Sequence, residues 1–289
     1  MPNEVILYGP ESLPYALSGD IGTKSNNVAA TLAVAGVTGM PQGIYPLGTQ
    51  LVLRDGRKFR YASVGATTLV VGTLVQGSIS LTTDTGMSAT ASTTVNPYTG
   101  AIADNSKGSA ALAFTHGAAT VIANFFAEGY IYVNVTPGGG DYYKIAAHPA
   151  FASGANTPAD LVNLWPGHKL RNALTDTTSK VSLISHPNSR VVKTPSTLPT
   201  AQIAGVAITP LTGATGRGNF GWLQTRGAVP ILMDNTSGVV GQPAIASTVT
   251  GGAVSLITTT NIVTSPIVGN FMFIGASAAF SLVYLTIDG

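Results

Sequence analysis

The sequence predicts an all-β protein made of β-sandwich or β-barrel domains, and three features of composition and pattern support this fold class. Charged residues account for only 9% of its 289 residues, whereas an ordinary soluble domain has about 25%. Glycine and proline separate short runs of β-branched and aromatic residues, which is typical of antiparallel strands joined by turns. Segments with helical periodicity are almost absent, so we expect at most one or two short helices.

The first 40 residues show no sustained hydrophobic period and are predicted to form an extended N-terminal arm. An arm of this kind becomes ordered by lying on another surface. A short helix over Val28–Ala35 is the alternative. Tyr15 lies in the arm and is a candidate interface residue.

The rest of the chain is predicted to divide into two parts. Residues 41–200 form a β-rich body, with two subdomains as an alternative, and residues 201–289 form a C-terminal β-domain. The segment Thr194–Thr200, which contains two prolines, has the composition of a linker between them.

Two β-hairpins carry the clearest local signals. In the first, Leu51–Arg54 and Arg57–Ala62 flank Asp55-Gly56, a pair that supplies the two positive-φ positions of a type I′ turn. In the second, Gly129–Val135 alternates with period two and returns at Tyr142–Ile145 after a glycine-rich loop.

Further strands are predicted where β-branched residues cluster between turn signals. The predicted segments are Thr67–Val75, Lys180–Ile184, Ile203–Ile208, Phe220–Thr225, Val229–Met233, Ala253–Thr259 and Ser281–Ile287. Shorter strands or loops are expected over Ser78–Gly108. One short helix is predicted over Thr157–Leu164, because a threonine N-cap, a proline at the first helical position and an aspartate in the first turn occur together.

The composition also limits the chemistry and the kinds of partner that we expect for this chain. Cysteine is absent, which excludes disulfides, thiolate metal sites and cysteine nucleophiles. The net charge of +2 comes from scattered lysines and arginines, so no direct nucleic-acid partner is expected. The most apolar segment, Ile267–Tyr284, is interrupted by glycine, asparagine and serine, so we expect no membrane partner. The N-terminus lacks the pattern of a signal peptide, so we expect synthesis in a cytoplasm without export.

No motif predicts an enzyme or a cofactor. The run Gly216–Gly221 matches G-x-G-x-x-G, but strand-like residues follow it and the nearest acid, Asp234, comes too early for a dinucleotide site. The four histidines lack metal-ligand spacing, with a metal site at subunit contacts as the alternative. A nucleophile elbow is absent, and a dispersed pair of carboxylates is the remaining enzymatic alternative. The sequence therefore predicts a protein without catalytic, cofactor or metal residues.

Trp165 and Trp222 are the large aromatic anchors of the chain. Core packing is the first expectation for them, and a subunit interface is the alternative. We take Trp222, Arg226, Tyr15 and Trp165 as the candidate interface residues.

Two runs resemble the capsid decoration proteins of tailed bacteriophages, which are also called cement or head auxiliary proteins. One is Gly48–Ala62, which contains the first hairpin. The other is Gly218–Gly227, which is similar to a Gly-aromatic-x-Gln-x-x-Gly strand of that family. Gly241-Gln242-Pro243 and Gly275-Ala276-Ser277 add to the likeness.

The resemblance implies a structural virion protein on the capsid exterior, made in the host cytoplasm. Its expected partner is the major capsid protein, whose neighbouring capsomers it bridges, and self-association is expected as a homotrimer. The arm is expected to lie on the capsid or on a neighbouring subunit. The alternatives are a tail-fibre or receptor-binding virion component, then the major capsid protein itself, and last a carbohydrate-active β-enzyme.

Overall fold

The computed structural model describes residues 6–9, 43, 45–78, 87–90, 104–116, 120–151, 160–176, 178–214, 219–234, 238–258 and 265–288. These residues form seventeen β-strands and no helix, which confirms the all-β prediction. The strands are β1 (Ile6–Gly9), β2 (Gln50–Leu53), β3 (Lys58–Ser63), β4 (Leu74–Gln76), β5 (Met87–Ser88), β6 (Ala111–Phe114), β7 (Tyr130–Val133), β8 (Tyr142–Ala147), β9 (Asp160–Leu164), β10 (Lys180–Ile184), β11 (Val192–Lys193), β12 (Ile203–Ala207), β13 (Phe220–Leu232), β14 (Pro243–Ala246), β15 (Val254–Leu256), β16 (Ile267–Phe273) and β17 (Phe280–Thr286).

The described residues fall into two compact units, each with its own core. The described residues of the first unit come from Met1–Val28, Gly43–Ile79 and Pro187–Gly289, and those of the second unit come from Ser80–His186. In sequence, the second unit is therefore an insertion into the first. The boundary predicted near residue 200 lies inside the first unit.

The chain leaves and re-enters the first unit at adjacent points. The Gly77 N–H donates to the carbonyl oxygen of Gln202 at 2.9 Å. A Cβ at Gly77 would lie 2.9 Å from the carbonyl oxygen of Pro187, so only a glycine lets the two crossing segments approach this closely.

The predicted linker Thr194–Thr200 is part of the first unit rather than a connection between units. Thr194 is fully buried, and its hydroxyl accepts the Gly252 N–H at 3.0 Å. At the other end, the Gln76 side chain donates to the Thr200 hydroxyl at 2.8 Å. Composition alone predicts a linker here, but the two end residues of this segment are hydrogen-bonded to residues distant in sequence.

Strand β13 organises the sheet of the first unit, whose main strand order is β1-β2-β3-β13-β17-β16-β14-β15. Its N-terminal half pairs with β3 and also with β12, and its C-terminal half pairs with β17. A bridge between Met233 and Val254 brings β15 beside the end of β13, so this part of the sheet curls towards a half-barrel.

The two strands predicted at Phe220–Thr225 and Val229–Met233 are one continuous strand. Gly227 lies between them with a φ of +89°, and the register with β17 runs unbroken from Arg226 to Leu232. Gly227 does not end the strand. Near this residue the pairing partner of β13 changes from β3 to β17, and the backbone stays hydrogen-bonded.

Side chains of β13 alternate between two cores of the first unit. Phe220 and Trp222 belong to the larger core, and Leu223 belongs to a second core on the opposite face of the sheet. The buried members of the larger core include Leu51, Phe59, Tyr61, Leu74, Phe220, Trp222, Ile231 and Phe271.

The second unit is a six-stranded antiparallel sheet in the order β5-β10-β7-β8-β9-β6. A bridge between Ala89 and Phe114 joins the two ends of this order, which makes it a partly closed barrel. Its core includes Phe114, Phe126, Ile131, Phe151, Val162 and Val181.

The helix predicted over Thr157–Leu164 is wrong in its described part. Asp160–Leu164 is strand β9, and all five of its residues are buried. It pairs with β6 on one side and β8 on the other. Long-range pairing overrides the local helix-start signal, and Thr157–Ala159 lie outside the described residues.

Both predicted hairpins are confirmed by the pairing of β2 with β3 and of β7 with β8. The turn of the first hairpin is not type I′, because Gly56 is its only positive-φ residue (+86°). The Gly56 N–H donates to the carbonyl of Leu53, and the Leu53 N–H donates to the carbonyl of Arg57. The result is a three-residue loop of the kind in which a turn is followed by a glycine bulge.

The segment predicted as a strand over Thr67–Val75 is mostly a loop, and only its end belongs to β4 (Leu74–Gln76). In the predicted arm, β1 pairs in parallel with β2. The remaining residues of the arm, including Tyr15 and the alternative helix Val28–Ala35, lie outside the described residues, as do Gly216–Gly218 of the G-x-G-x-x-G run.

Candidate functional site

An exposed, uncharged sheet surface of the first unit, which we call the apolar face, is the candidate functional site. It is formed by the outward side chains of the second half of β13, of β17 and of the end of β16. Its members are Ala228, Pro230, Leu232, Met272, Phe273, Phe280, Leu282 and Tyr284, all exposed or half-buried. The alternate residues on the same strands, such as Ile231 and Val283, are fully buried in the core.

The strand register places these side chains next to one another. Pro230 lies opposite Leu282, which in turn lies opposite Phe273. On the next rows, Ala228 lies opposite Tyr284 and Leu232 lies opposite Phe280. Because directly opposed residues of an antiparallel pair share a face about 5 Å apart, the face is one continuous surface.

A β-bulge enlarges the apolar face at the end of β16. Phe271 is opposed to Val283 in the core, and the register then shifts so that Leu282 is opposed by Phe273. The extra residue is Met272, and both Met272 and Phe273 are exposed. β-Bulges change the direction of side chains and are common beside functional sites.

The exposed apolar area is comparable with the largest apolar patch of a typical monomeric protein. Phe273, Phe280 and Tyr284 are 61%, 52% and 42% exposed. With roughly 200 Å² for a fully accessible aromatic side chain, these three residues alone expose about 300 Å², and the largest patch on a typical monomer measures about 300–600 Å². The largest apolar patch of a protein is often functional, which makes this face the candidate site.

Charge is missing from the strand segments that form this surface. The segments 227–233, 267–273 and 280–286 contain no Asp, Glu, Lys or Arg. A partner therefore buries the face without stripping water from a fixed charge, which is the costly step in forming many interfaces.

The loop before β4 extends the apolar face. Val70 and Val71 are exposed, and Gly72 accepts a hydrogen bond from the Leu232 N–H at 3.1 Å. A Cβ at Gly72 would collide with the Phe280 ring. Glycine thus lets this loop pack directly beside the aromatic side chain at the edge of the face.

The structure places the four candidate interface residues in different settings. Trp222 is 0% exposed, with ring centroids 5.2 Å from Tyr61 and 5.8 Å from Tyr45. This position corrects its candidate interface role in favour of core packing, because a fully buried ring offers no area to a partner. Tyr15 lies outside the described residues.

Arg226 and Trp165 are both half-buried. Arg226 lies opposite Thr286 on β13 and β17, so it adjoins the end of the apolar face and supplies the nearest cation on β13. Trp165 belongs to the second unit, where the Lys144 ammonium lies 4.3 Å from its ring centroid. The structure therefore brings one of the four residues to the candidate site.

Sequence reasoning did not identify Phe273, Phe280 or Tyr284. A signal was present in β17, where Phe280, Leu282 and Tyr284 alternate with Val283 and Leu285. A strand that is apolar on both faces is unusual for an antiparallel sheet with one face in water, where apolar and polar residues alternate. Which of the two faces of β17 is buried within the chain depends on how the core packs.

No group of three or more His, Asp or Glu side chains that could hold a metal ion occurs among the described residues. In that same part of the chain, no helix is long and apolar enough to cross a membrane. Comparisons with protein-family models, with curated proteins and with solved structures found no match to this chain.

Proposed function

We propose that this chain is a structural virion protein that binds the outer surface of a bacteriophage capsid and stabilises the contacts between capsomers. The single observation that carries the proposal is the uncharged apolar face. It is a continuous surface built on paired strands, and it is suited to being covered by another protein rather than to converting a substrate.

The apolar face contributes part of the free energy of a contact at each site. Burial of the roughly 300 Å² contributed by its three exposed aromatic residues is worth about 7 kcal/mol before the costs of association. Those costs consume much of this gain, so each contact is modest. Many identical contacts on one shell would resist the outward pressure of a packaged genome.

The resemblance of Gly48–Ala62 and Gly218–Gly227 to phage decoration proteins supports the capsid as the partner. Both runs lie in the first unit, on β2, β3 and β13. β13 also supplies one row of the apolar face. The expected partner is thus the major capsid protein, together with self-association as a homotrimer, and no catalytic residue or cofactor is part of the proposal.

Copy number in purified virus particles tests the proposal. Quantitative mass spectrometry against the major capsid protein should give hundreds of copies per particle, and an averaged image should show density on the shell exterior. A handful of copies located at the tail would favour a tail-fibre or receptor-binding role. Complete absence from particles would overturn a structural virion role.

A further inference from the structure

The second unit carries an aromatic surface of different character, which we call the tyrosine face. It consists of the outward side chains Tyr130 and Tyr132 on β7, Tyr142 and Lys144 on β8, and Trp165 directly after β9. Tyr130 lies opposite Lys144, and Tyr132 lies opposite Tyr142. The Trp165 N–H donates to the Lys144 carbonyl at 2.8 Å, which continues the row to a third strand.

The register gives the tyrosine face its dimensions. Three neighbouring strands about 4.8 Å apart place Tyr130 and Trp165 roughly 10 Å from each other. Tyr130 and Tyr142 are diagonal neighbours on β7 and β8. Their ring centroids are 6.5 Å apart, and their ring planes are inclined at 63°. The aromatic rings therefore form one surface that extends across three neighbouring strands.

Its hydroxyl groups are available to a ligand. Tyr142 is 61% exposed, and Tyr130 and Tyr132 are half-buried. Within the part of the chain that is described, none of these three hydroxyls makes a hydrogen bond to protein. The neighbouring Tyr143 shows the contrast, because it is buried and its hydroxyl bonds to Asp141 at 3.1 Å and accepts the Arg171 N–H at 2.9 Å.

The cations near the tyrosine face are largely engaged by the chain itself. The Lys144 ammonium lies over Trp165, and partial burial lowers its pKa while Glu128 opposes that shift. Arg171 is ion-paired with Asp141 at 3.3 Å. Binding of a phosphate backbone depends on several cations that release counterions, and this surface does not offer them.

We propose that the tyrosine face is a saccharide-binding site. Tyrosine and tryptophan rings stack on the C–H faces of sugar rings, and phenolic hydroxyls both donate to and accept from sugar hydroxyls. A protein partner would favour the charge-free, hydroxyl-poor surface found on the first unit. The tyrosine face combines rings, free hydroxyls and one flanking ammonium, which matches a polyhydroxylated ligand. The site stands independently of capsid decoration.

The test uses the full chain on a microarray printed with bacterial capsular polysaccharides and lipopolysaccharide glycans. Wild-type protein should bind at least one glycan, and Tyr142→Ala and Tyr130→Ala should each weaken that binding by about tenfold. Tyr142→Phe keeps the ring and removes only the hydroxyl, so it should give an intermediate loss. Tyr284→Ala is the matched control, because it removes an exposed strand tyrosine from the first unit and should leave glycan binding unchanged.

Three results would overturn the site. The first is an absence of binding to every printed glycan. The second is equal losses in Tyr142→Ala and Tyr284→Ala. The third is tighter binding to a 20-nucleotide single-stranded DNA, measured by fluorescence anisotropy, than to any glycan, because stacking platforms also serve single strands. Far-UV circular dichroism of each variant confirms that an exposed substitution has left the fold intact.

Discussion

At the scale of the residue, a buried histidine in the second unit is held in one protonation state by the backbone. His148 is fully buried. Its Nε2 accepts the Phe126 N–H at 2.9 Å, and its Nδ1 lies 2.7 Å from the carbonyl oxygen of Pro149. The bonding pattern requires a neutral ring that carries its proton on Nδ1.

His148→Ala should lower the free energy of unfolding by about 1–3 kcal/mol, because it leaves the buried Phe126 N–H without its acceptor. Urea denaturation measures this loss.

An amide side chain provides the control for His148. In His148→Gln the amide oxygen can still accept the Phe126 N–H, so this variant should lose less stability than His148→Ala. Equal losses for the two variants would show that the hydrogen bond to Phe126 is not responsible.

A second residue-scale prediction concerns the half-buried ion pair of Arg60 and Asp288. The guanidinium Nε lies 2.6 Å from the carboxylate, and the Thr225 hydroxyl donates to the same carboxylate at 2.9 Å. Asp288→Ala should lower the free energy of unfolding by about 1–3 kcal/mol, because it leaves a partly buried guanidinium and a hydroxyl without this acceptor. Urea denaturation measures the change.

The matched control is the Arg57–Asp55 pair at the tip of the first hairpin. Its nitrogen–oxygen distance is 2.5 Å, but Asp55 is exposed. Asp55→Ala should cost less than about 1 kcal/mol, because exposed ion pairs contribute little. A larger loss for Asp55→Ala than for Asp288→Ala would contradict the argument from burial.

At the scale of the element, strands β16 and β17 combine a core face with the apolar face. Phe273→Ser and Phe280→Ser should each weaken capsid binding by at least about tenfold, since exposed aromatic residues often dominate interfaces. The free energy of unfolding should change little, because both rings are more than half exposed. Co-sedimentation with purified capsids and urea denaturation give the two measurements.

Tyr142→Ser serves as the control for the apolar face. It removes an aromatic residue that is 61% exposed from a strand of the second unit. Capsid binding should persist in this variant. If Phe273→Ser and Phe280→Ser bind capsids as well as the wild type does, another surface of the chain makes the contact.

At the scale of the whole molecule, one compact unit is inserted into another through neighbouring crossing points. Gly77 and Pro187 lie side by side, and each unit has its own hydrophobic core. An insertion of this kind can be removed when its ends are close in space. The first unit should therefore fold without the second.

Replacing residues 80–186 with a Gly-Ser-Gly linker tests this independence. The shortened chain should keep β-sheet circular dichroism and unfold cooperatively. It should also keep capsid binding and lose glycan binding, because the apolar face and the tyrosine face belong to different units. An unfolded or aggregated product would show that the first unit depends on the insertion.

Much of the local structure was predictable because its signals are local. The hairpins at β2–β3 and β7–β8 have alternating strands around glycine-containing loops, and strand β10 begins and ends where the β-branched run predicts. Strand β9 was not predictable in this way. A threonine, a proline and an aspartate in order are typical of a helix start, and only pairing with β6 and β8 makes Asp160–Leu164 extended.

The candidate site was predictable only in part. Arg226 was identified and adjoins the apolar face, whereas Trp222 was identified and lies in the core. Tyr142 and Tyr143 are neighbours in sequence, yet one is exposed and the other is buried. A one-residue difference reverses the face of a strand side chain, so exposure depends on a register that composition does not encode.

The sequence by itself determined that this protein is all-β, poor in charge, and free of cysteine chemistry, because these properties follow from composition and short-range alternation. Only the tertiary structure decided that β13 is continuous, that residues from Ser80–His186 form an inserted unit, and which rings remain exposed. The physical reason is that strands are completed by partners far away in the chain. Which side of a doubly apolar strand becomes core is settled only when those partners assemble.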